Sequence, residues 1–249
     1  MEILPYLQRI SLKKEKVEDF RRFPFSIPAI RNLSTLEFSP SVTFIIGENG
    51  SGKSTLVEAI AIAMGFNPEG GTRNFNFGTR DSHSELSEYL RLSKSIKRPR
   101  DGYFLRAESF FNVATQIEAL DEGPGGPPII NSYGGRSLHE QSHGESFLSL
   151  IVNRFSGHGL YILDEPEAAL SPARQLTVLS RMHQLLQKKS QFIIATHSPI
   201  LMAFPGALIY EVAAGGFRQV DYRETEHFEI TKSFLENPDR MLRELFRDD

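Results

Sequence analysis

The 249-residue chain contains no cysteine, which excludes disulfide bridges and thiolate-ligated metal centres. No apolar run reaches the length of about 18 residues that a membrane span requires, and the N-terminus carries no signal-peptide pattern. A soluble, cytoplasmic protein is therefore expected. The net charge of -3 gives no global pull toward nucleic acid or an anionic membrane, leaving only local patches to consider. There is no fixed-period repeat and no sustained heptad run, so solenoids and long coiled-coil arms are excluded as well. With 40% hydrophobic residues, the chain can bury a sizeable core in one large domain or two small ones.

Along the chain, "YLQRISLK" alternates weakly and "FPFSIPAI" is broken by prolines, which predicts a small antiparallel β region over residues 1–40. Residues 67–80 turn to glycine, asparagine and threonine and read as a loop. "SELSEYLRLSKSIKRPR" and the strand-like "GYFLRA" follow, so that 67–140 is expected to form an inserted lobe. "DEGPGGPPIINSYGG", Asp121 to Gly135, is too rich in proline and glycine for a regular element and leads into a helix within "SLHEQSHGESFLSLIVNRF". Two terminal helices are predicted in "TEHFEITKSFLENP" and "DRMLRELFRDD", divided near Asn237 and Pro238. The phenylalanines of "ESFFN" and "GESFLSL" are read as core.

The densest chemistry lies in "GENGSGKST", Gly47 to Thr55, which follows the apolar run "SVTFII" and precedes the apolar-rich "LVEAIAIAM". Gly47, Gly52, Lys53 and Ser54 satisfy the spacing of a phosphate-binding loop set between a strand and a helix. Glycines let the backbone wrap a phosphate, with amides and the helix start facing it. Asn49, Gly50, Ser51 and Thr55 belong to the same cradle, Lys53 neutralises the phosphate, and the Ser54 hydroxyl can hold Mg2+.

A second apolar run, "LYIL", delivers Asp164 and Glu165 to a strand end and is expected to lie buried beside the loop strand. Asp164 can then reach the Mg2+ at Ser54, while Glu165 polarises an attacking water. A third run, "QFIIATHSP", ends in His197, which can sense the terminal phosphate of a nucleotide by hydrogen bonding.

Together these motifs resemble the ATP-binding cassette ATPases of the P-loop NTPase superfamily, in particular the branch of chromosome-maintenance, recombination and DNA-repair ATPase heads. "GENGSGKST" is similar to the Walker A motif and "LYILDEPE" to Walker B, with Glu165 as the catalytic glutamate. "AALSP" is similar to the D-loop, "ATHSP" to the switch-histidine motif, and "QSHGE" to the signature, retaining Ser142, Gly144 and Glu145. The resemblance implies an α/β fold, a single ATPase domain over 1–249 with an antiparallel β subdomain and an inserted lobe. It also implies ATP and Mg2+ as ligands and hydrolysis at a homodimer interface, where Ser142 and Gly144 of one copy close over the phosphate bound by the other.

The chain departs from the pattern in places. His143 replaces a signature glycine, Ser171 stands at the D-loop aspartate, and Glu108 stands where a metal-contacting glutamine is usual, with Gln116 farther along. Partners stay open. A nucleic-acid or cellular-defence role is preferred, with Arg91, Lys94, Lys97, Arg98 and Arg100 as the candidate phosphate-contacting cluster. The alternatives are an ATP-binding subunit serving a membrane protein, and a nucleotide-dependent binding module with little turnover. Arg21, Arg22 and Phe23 near the N-terminal sheet are read as a structural loop.

Overall fold

The computed structural model describes residues 5–73, 84–121 and 128–247. In chain order these form β1 (Leu7–Leu12), α1 (Pro28–Arg31), β2 (Thr35–Glu37), β3 (Val42–Ile46), α2 (Lys53–Ala63), β4 (Leu90–Lys94), β5 (Asp101–Arg106), α3 (Phe110–Asp121) and α4 (His143–Ser149). After them come β6 (Gly159–Asp164), α5 (Pro172–Gln187), β7 (Gln191–Ala195), α6 (Pro199–Met202), β8 (Leu208–Ala213), β9 (Gly216–Val220), α7 (Glu226–Glu236) and α8 (Pro238–Leu245).

Six strands make the main sheet in the order β5-β6-β7-β3-β8-β9, parallel except for the β8–β9 hairpin. Strands buried on both faces read as continuous apolar runs, and their alternating side chains divide between two cores. Tyr103, Leu105, Tyr161, Leu163, Phe192 and Ile194 face one core with residues of α3, α4 and α5, including Phe110, Phe147 and Val178. Phe104, Leu160, Ile162, Ile193 and Ala195 face the other with Leu56, Val57 and Ile60 of α2 and the antiparallel sheet. Phe110 and Phe147 thus pack in the core, their rings 5.3 Å apart, whereas Phe111, also expected there, is 64% exposed because it falls on the outer face of α3.

The antiparallel sheet has the order β2-β1-β4, so its third strand comes from residues 90–94. Of the stretch 67–140, β4 therefore pairs with the N-terminal strand and β5 enters the main sheet. Residues 74–83 and 122–127 of that stretch, including much of the expected glycine-rich loops, lie outside the described residues. A short 3-10 turn, Ile129–Tyr133, occupies part of the segment expected to hold no regular element. Its first amides, Ile129 and Ile130, are satisfied by Asp121 at 2.6 and 2.9 Å, which compensates for the prolines before it.

Gln191, almost fully buried at the start of β7, ties the two sheets together. Its amide accepts from Leu7 N–H at 3.0 Å and donates to Leu7 O and Ser39 O at 2.9 and 3.0 Å. One side chain thereby satisfies backbone groups that packing would otherwise strand away from water.

One expectation is corrected. The strand ending in Asp164 does not lie beside the loop strand: β7 separates β6 from β3. Asp164 still reaches the loop, because α2 packs on both β6 and β7 and the Ser54 hydroxyl in its first turn bonds the Asp164 carboxylate.

Candidate nucleotide site

The loop between β3 and α2 closes on Gly52, whose φ of +100° is costly for any residue with a side chain. A Cβ there would also approach Ile27 Cγ2 to 2.9 Å. Lys53 begins the helix with 3% of its surface exposed, and its Nζ donates to Gly47 O and Glu48 O at 2.8 Å each. Burial lowers its pKa, against the attraction of Glu165, Asp164 and Glu167. The amides of the first helical turn have no intrahelical acceptor and, with Lys53, make an end suited to an anion. A cavity of about 900 Å³ opens here, lined by residues 47–51, His197, Val212 and, from α7, His227 and Ile230.

Asp164 ends β6 with 6% of its surface exposed. Burial pushes its pKa up to about 6, while Arg106 and a hydrogen bond from the Ser54 hydroxyl oppose the shift. Its Oδ1 has no hydrogen-bond partner despite being buried. A hydroxyl and a carboxylate with a free oxygen, next to a phosphate cradle, fit Mg2+, which takes few protein oxygens and fills its shell with phosphate and water. Ser51 Oγ is likewise buried without a partner within the loop.

Glu165 adopts the left-handed region, φ 50° and ψ 52°, a conformation that costs a non-glycine residue about 1 kcal/mol and concentrates at functional sites. Its amide donates to Ala195 O at 2.9 Å, fixing the turn against β7. Its Oε1 lies 3.6 Å from His197 Nε2. The His197 amide donates to Glu167 Oε1 at 2.5 Å, and its Nδ1 lies 3.2 Å from His227 Nε2. Lys53, Ser54, Asp164, Glu165 and His197 thus converge at the carboxyl ends of β3, β6 and β7, where open α/β sheets bind ligands.

Other expected residues sit elsewhere. Glu108, expected near the metal, is 87% exposed along its side chain and reaches Arg106 Nη2 at 3.4 Å. Arg106 is the residue set against Asp164, at 3.6 Å, and it also pairs with Glu58 of α2 at 2.5 Å. Ser142 is the exposed N-cap of α4 in a capping box with Glu145, and His143 packs edge-on to Phe110 at 5.9 Å. Gly144 is buried, and a Cβ there would meet Ala169 O at 2.5 Å, so glycine is required for the D-loop to pack against α4. Ser171 caps α5 through Arg174 N–H at 3.4 Å. Among the described residues, no hydrogen bond or ion pair joins Ser142 to the loop of Lys53.

Sequence reading missed Arg106, Glu58 and His227. Arg106 was visible as the polar residue that ends an apolar strand, but Glu58 and His227 meet the site only through tertiary packing.

A model of the AAA domain matches residues 16–141, half of the chain, and a second AAA-domain model, described with the AbiEii toxin of type IV toxin–antitoxin systems, matches 130–203. The chain is 30% identical over 182 residues to the L-cystine transport system ATP-binding protein TcyN of Escherichia coli, covering 65% of this chain and 72% of that protein. It is 28% identical over 182 residues to the cytochrome c biogenesis ATP-binding export protein CcmA of Rhizobium etli, covering 68% and 81%. The fold is similar to cbiO1 of Clostridium perfringens, part of the ABC transporter complex cbiONQ, with a TM-score of 0.50 at 18% identity, covering 83% of this chain and 88% of that one. No helix among the described residues is long and apolar enough to cross a membrane. With a nucleotide loop, an acidic strand end and these relatives, the chain belongs to the ATP-binding cassette ATPases of the P-loop NTPase superfamily and is an ATP hydrolase.

Proposed function

We propose that two copies of this chain close over two ATP molecules in the cytoplasm and that hydrolysis reopens them. The observation that carries this reading is that Ser142 caps α4 at the exposed surface and, among the described residues, makes no hydrogen bond or ion pair with the Lys53 loop of its own chain. An isologous dimer reunites them, each copy offering Ser142 and the start of α4 to the other's nucleotide. Lys53 and the loop amides hold the phosphates, and Ser54 and Asp164 would hold Mg2+. When bound, the ion supplies positive charge to the phosphate oxygens.

Glu165 orients the attacking water and takes its proton as the oxygen–phosphorus bond forms and the bond to the ADP oxygen breaks. His197 donates to the terminal phosphate, so its loss weakens closure. In light scattering, Glu165→Gln should be a dimer with ATP and Mg2+ and a monomer with ADP. A monomer in both states would contradict the proposal.

For the partner, nucleic acid is preferred. Arg73, Lys94, Lys97 and Arg98 line a cleft of about 520 Å³, and among the described residues none of them has an acidic partner. Burial lowers the pKa of Arg73 and Lys94, and neighbouring cations lower both further, a repulsion that a phosphate relieves. The cleft lies between the end of β4 and the start of β5. Arg91 leaves the expected cluster by pairing with Glu15 at 3.1 Å. Neutralising the four cleft residues should flatten the salt dependence of DNA binding, by about 0.9 in log-log slope per lost phosphate contact. An unchanged slope would assign them to a solvated face.

The similarity to TcyN, an ATP-binding protein of a transport system, and to CcmA, an ATP-binding export protein, favours a second reading, an ATP-binding subunit that docks on a membrane protein. Capture of membrane subunits with ATP-trapped Glu165→Gln, and no nucleic acid, would favour it.

A further inference from the structure

His227, in the first turn of α7, belongs to no motif described above, yet its Nε2 lies 3.2 Å from Nδ1 of His197. The two rings are tilted at 48° with centroids 5.4 Å apart, a geometry that suits an in-plane N–H···N bond better than stacking. The contact is held from both sides. Tyr222 donates to Pro199 O at 2.9 Å, two residues past His197, and packs on Phe228 with ring centroids 4.8 Å apart. Thr225 is fully buried and caps α7 by accepting from Phe228 N–H at 3.3 Å. The start of α7 is therefore fastened to the loop that carries His197.

Two observations favour the proton on Nε2 of His197. Its Nε2 faces Glu165 Oε1 at 3.6 Å and is buried without a hydrogen-bond partner. A lone pair on Nε2 would oppose the carboxylate, whereas an N–H there is attracted to it and aims into the space beside Lys53. Nδ1 must then be the acceptor, and the donor in reach is Nε2–H of His227.

Burial holds both rings below the usual histidine range. Lys53 adds to this for each, against Glu165 at His197 and against Glu226 and Glu211 at His227. The rings are neutral near pH 7, where tautomer rather than charge decides which nitrogen donates.

We propose that His227 is a positioning residue that locks His197 in its Nε2–H tautomer, so that the single N–H of His197 faces the terminal phosphate. This rests on the reading of His197 as the phosphate-sensing histidine.

The test compares His227→Phe, which keeps a ring but no donor, with His227→Gln, whose side-chain amide keeps a donor at similar reach, and with His197→Ala. In steady-state phosphate release, His227→Phe should lower kcat about tenfold with ADP affinity changed by less than about twofold, and His227→Gln should recover most of the loss. Nitrogen NMR of the imidazoles should find one His197 tautomer, protonated at Nε2, in the wild-type protein and a mixture in His227→Phe.

Wild-type kcat in His227→Phe alongside an inactive His197→Ala would overturn the role of His227 alone, and full activity in His197→Ala would remove the role of His197 itself. A loss in His227→Phe that His227→Gln does not repair would assign the residue to packing and overturn the proposal. Should the variants fail to fold, a wild-type His197 protonated at Nδ1 would overturn it independently.

Discussion

Arg106 stands directly opposite Asp164 in the β5–β6 pairing, with its guanidinium 3.6 Å from the Asp164 carboxylate and 2.5 Å from that of Glu58. One cation thus serves the aspartate that ends β6 and a buried glutamate of the loop helix at once. Removing it leaves Glu58, 8% exposed, with the Ser84 N–H at 3.1 Å but no cation paired with it among the described residues. Arg106→Ala should cost about 3 kcal/mol in urea unfolding, the scale for breaking a buried ion pair on one side. A cost below about 1 kcal/mol would mean that water replaces the guanidinium.

Asp164 makes stability depend on pH in a predictable direction. Its folded pKa of about 6 lies above the ordinary 3.8, so between those values the folded state binds more protons than the unfolded one. Stability from this group is greatest in acid and falls as pH rises, with the full penalty present above pH 6. In EDTA without nucleotide, Asp164→Asn should therefore stabilise the protein by about 2 kcal/mol at pH 8, and the gain should vanish near pH 4. Thermal unfolding across that range checks the sign, and destabilisation at pH 8 would contradict it.

Gln191→Ala should cost about 3 kcal/mol, because Leu7 N–H and two carbonyls lose a buried partner at the seam between the sheets. Hydrogen exchange should accelerate first at β1, whose link to β7 is cut. Uniform acceleration across the main sheet would mean that the seam has no local stability of its own.

Lys53→Ala should weaken ATP binding by about tenfold or more, whereas Glu165→Gln should leave binding intact and slow turnover by about a hundredfold or more. In the proposed roles the lysine would face phosphate already present before reaction, and the glutamate would act on the attacking water. Equilibrium binding and phosphate release separate the two, and equal loss of binding in both variants would contradict the assignments.

The elements around the Lys53 loop were legible because local chemistry specifies them. A glycine loop between a strand and a helix, and apolar runs ending in Asp164 and His197, are short-range patterns. Strand order was not, since nothing in "LYILDEPE" says that β7 intervenes before β3. The β8–β9 hairpin was passed over, although "AAGG" between alternating runs carries a turn signal. The pairing of β4 with β1 spans about eighty residues, and such distant partners leave no local trace. For the same reason His227 and Glu58 stayed hidden, their meaning lying in which loop they touch.

The shared site is tested most directly by complementation between two inactive chains. Lys53→Ala removes the phosphate lysine and Ser142→Arg fills the signature, and either homodimer should be inactive. In a mixed dimer both lesions fall into one composite site, while the other combines an intact loop with an intact signature. Single-turnover hydrolysis on the purified mixed dimer, with tags confirming its composition, should recover ATP cleavage at about half the wild-type amplitude, one site of two. No cleavage and no ATP-stabilised association in that mixed dimer would contradict a site built from two copies.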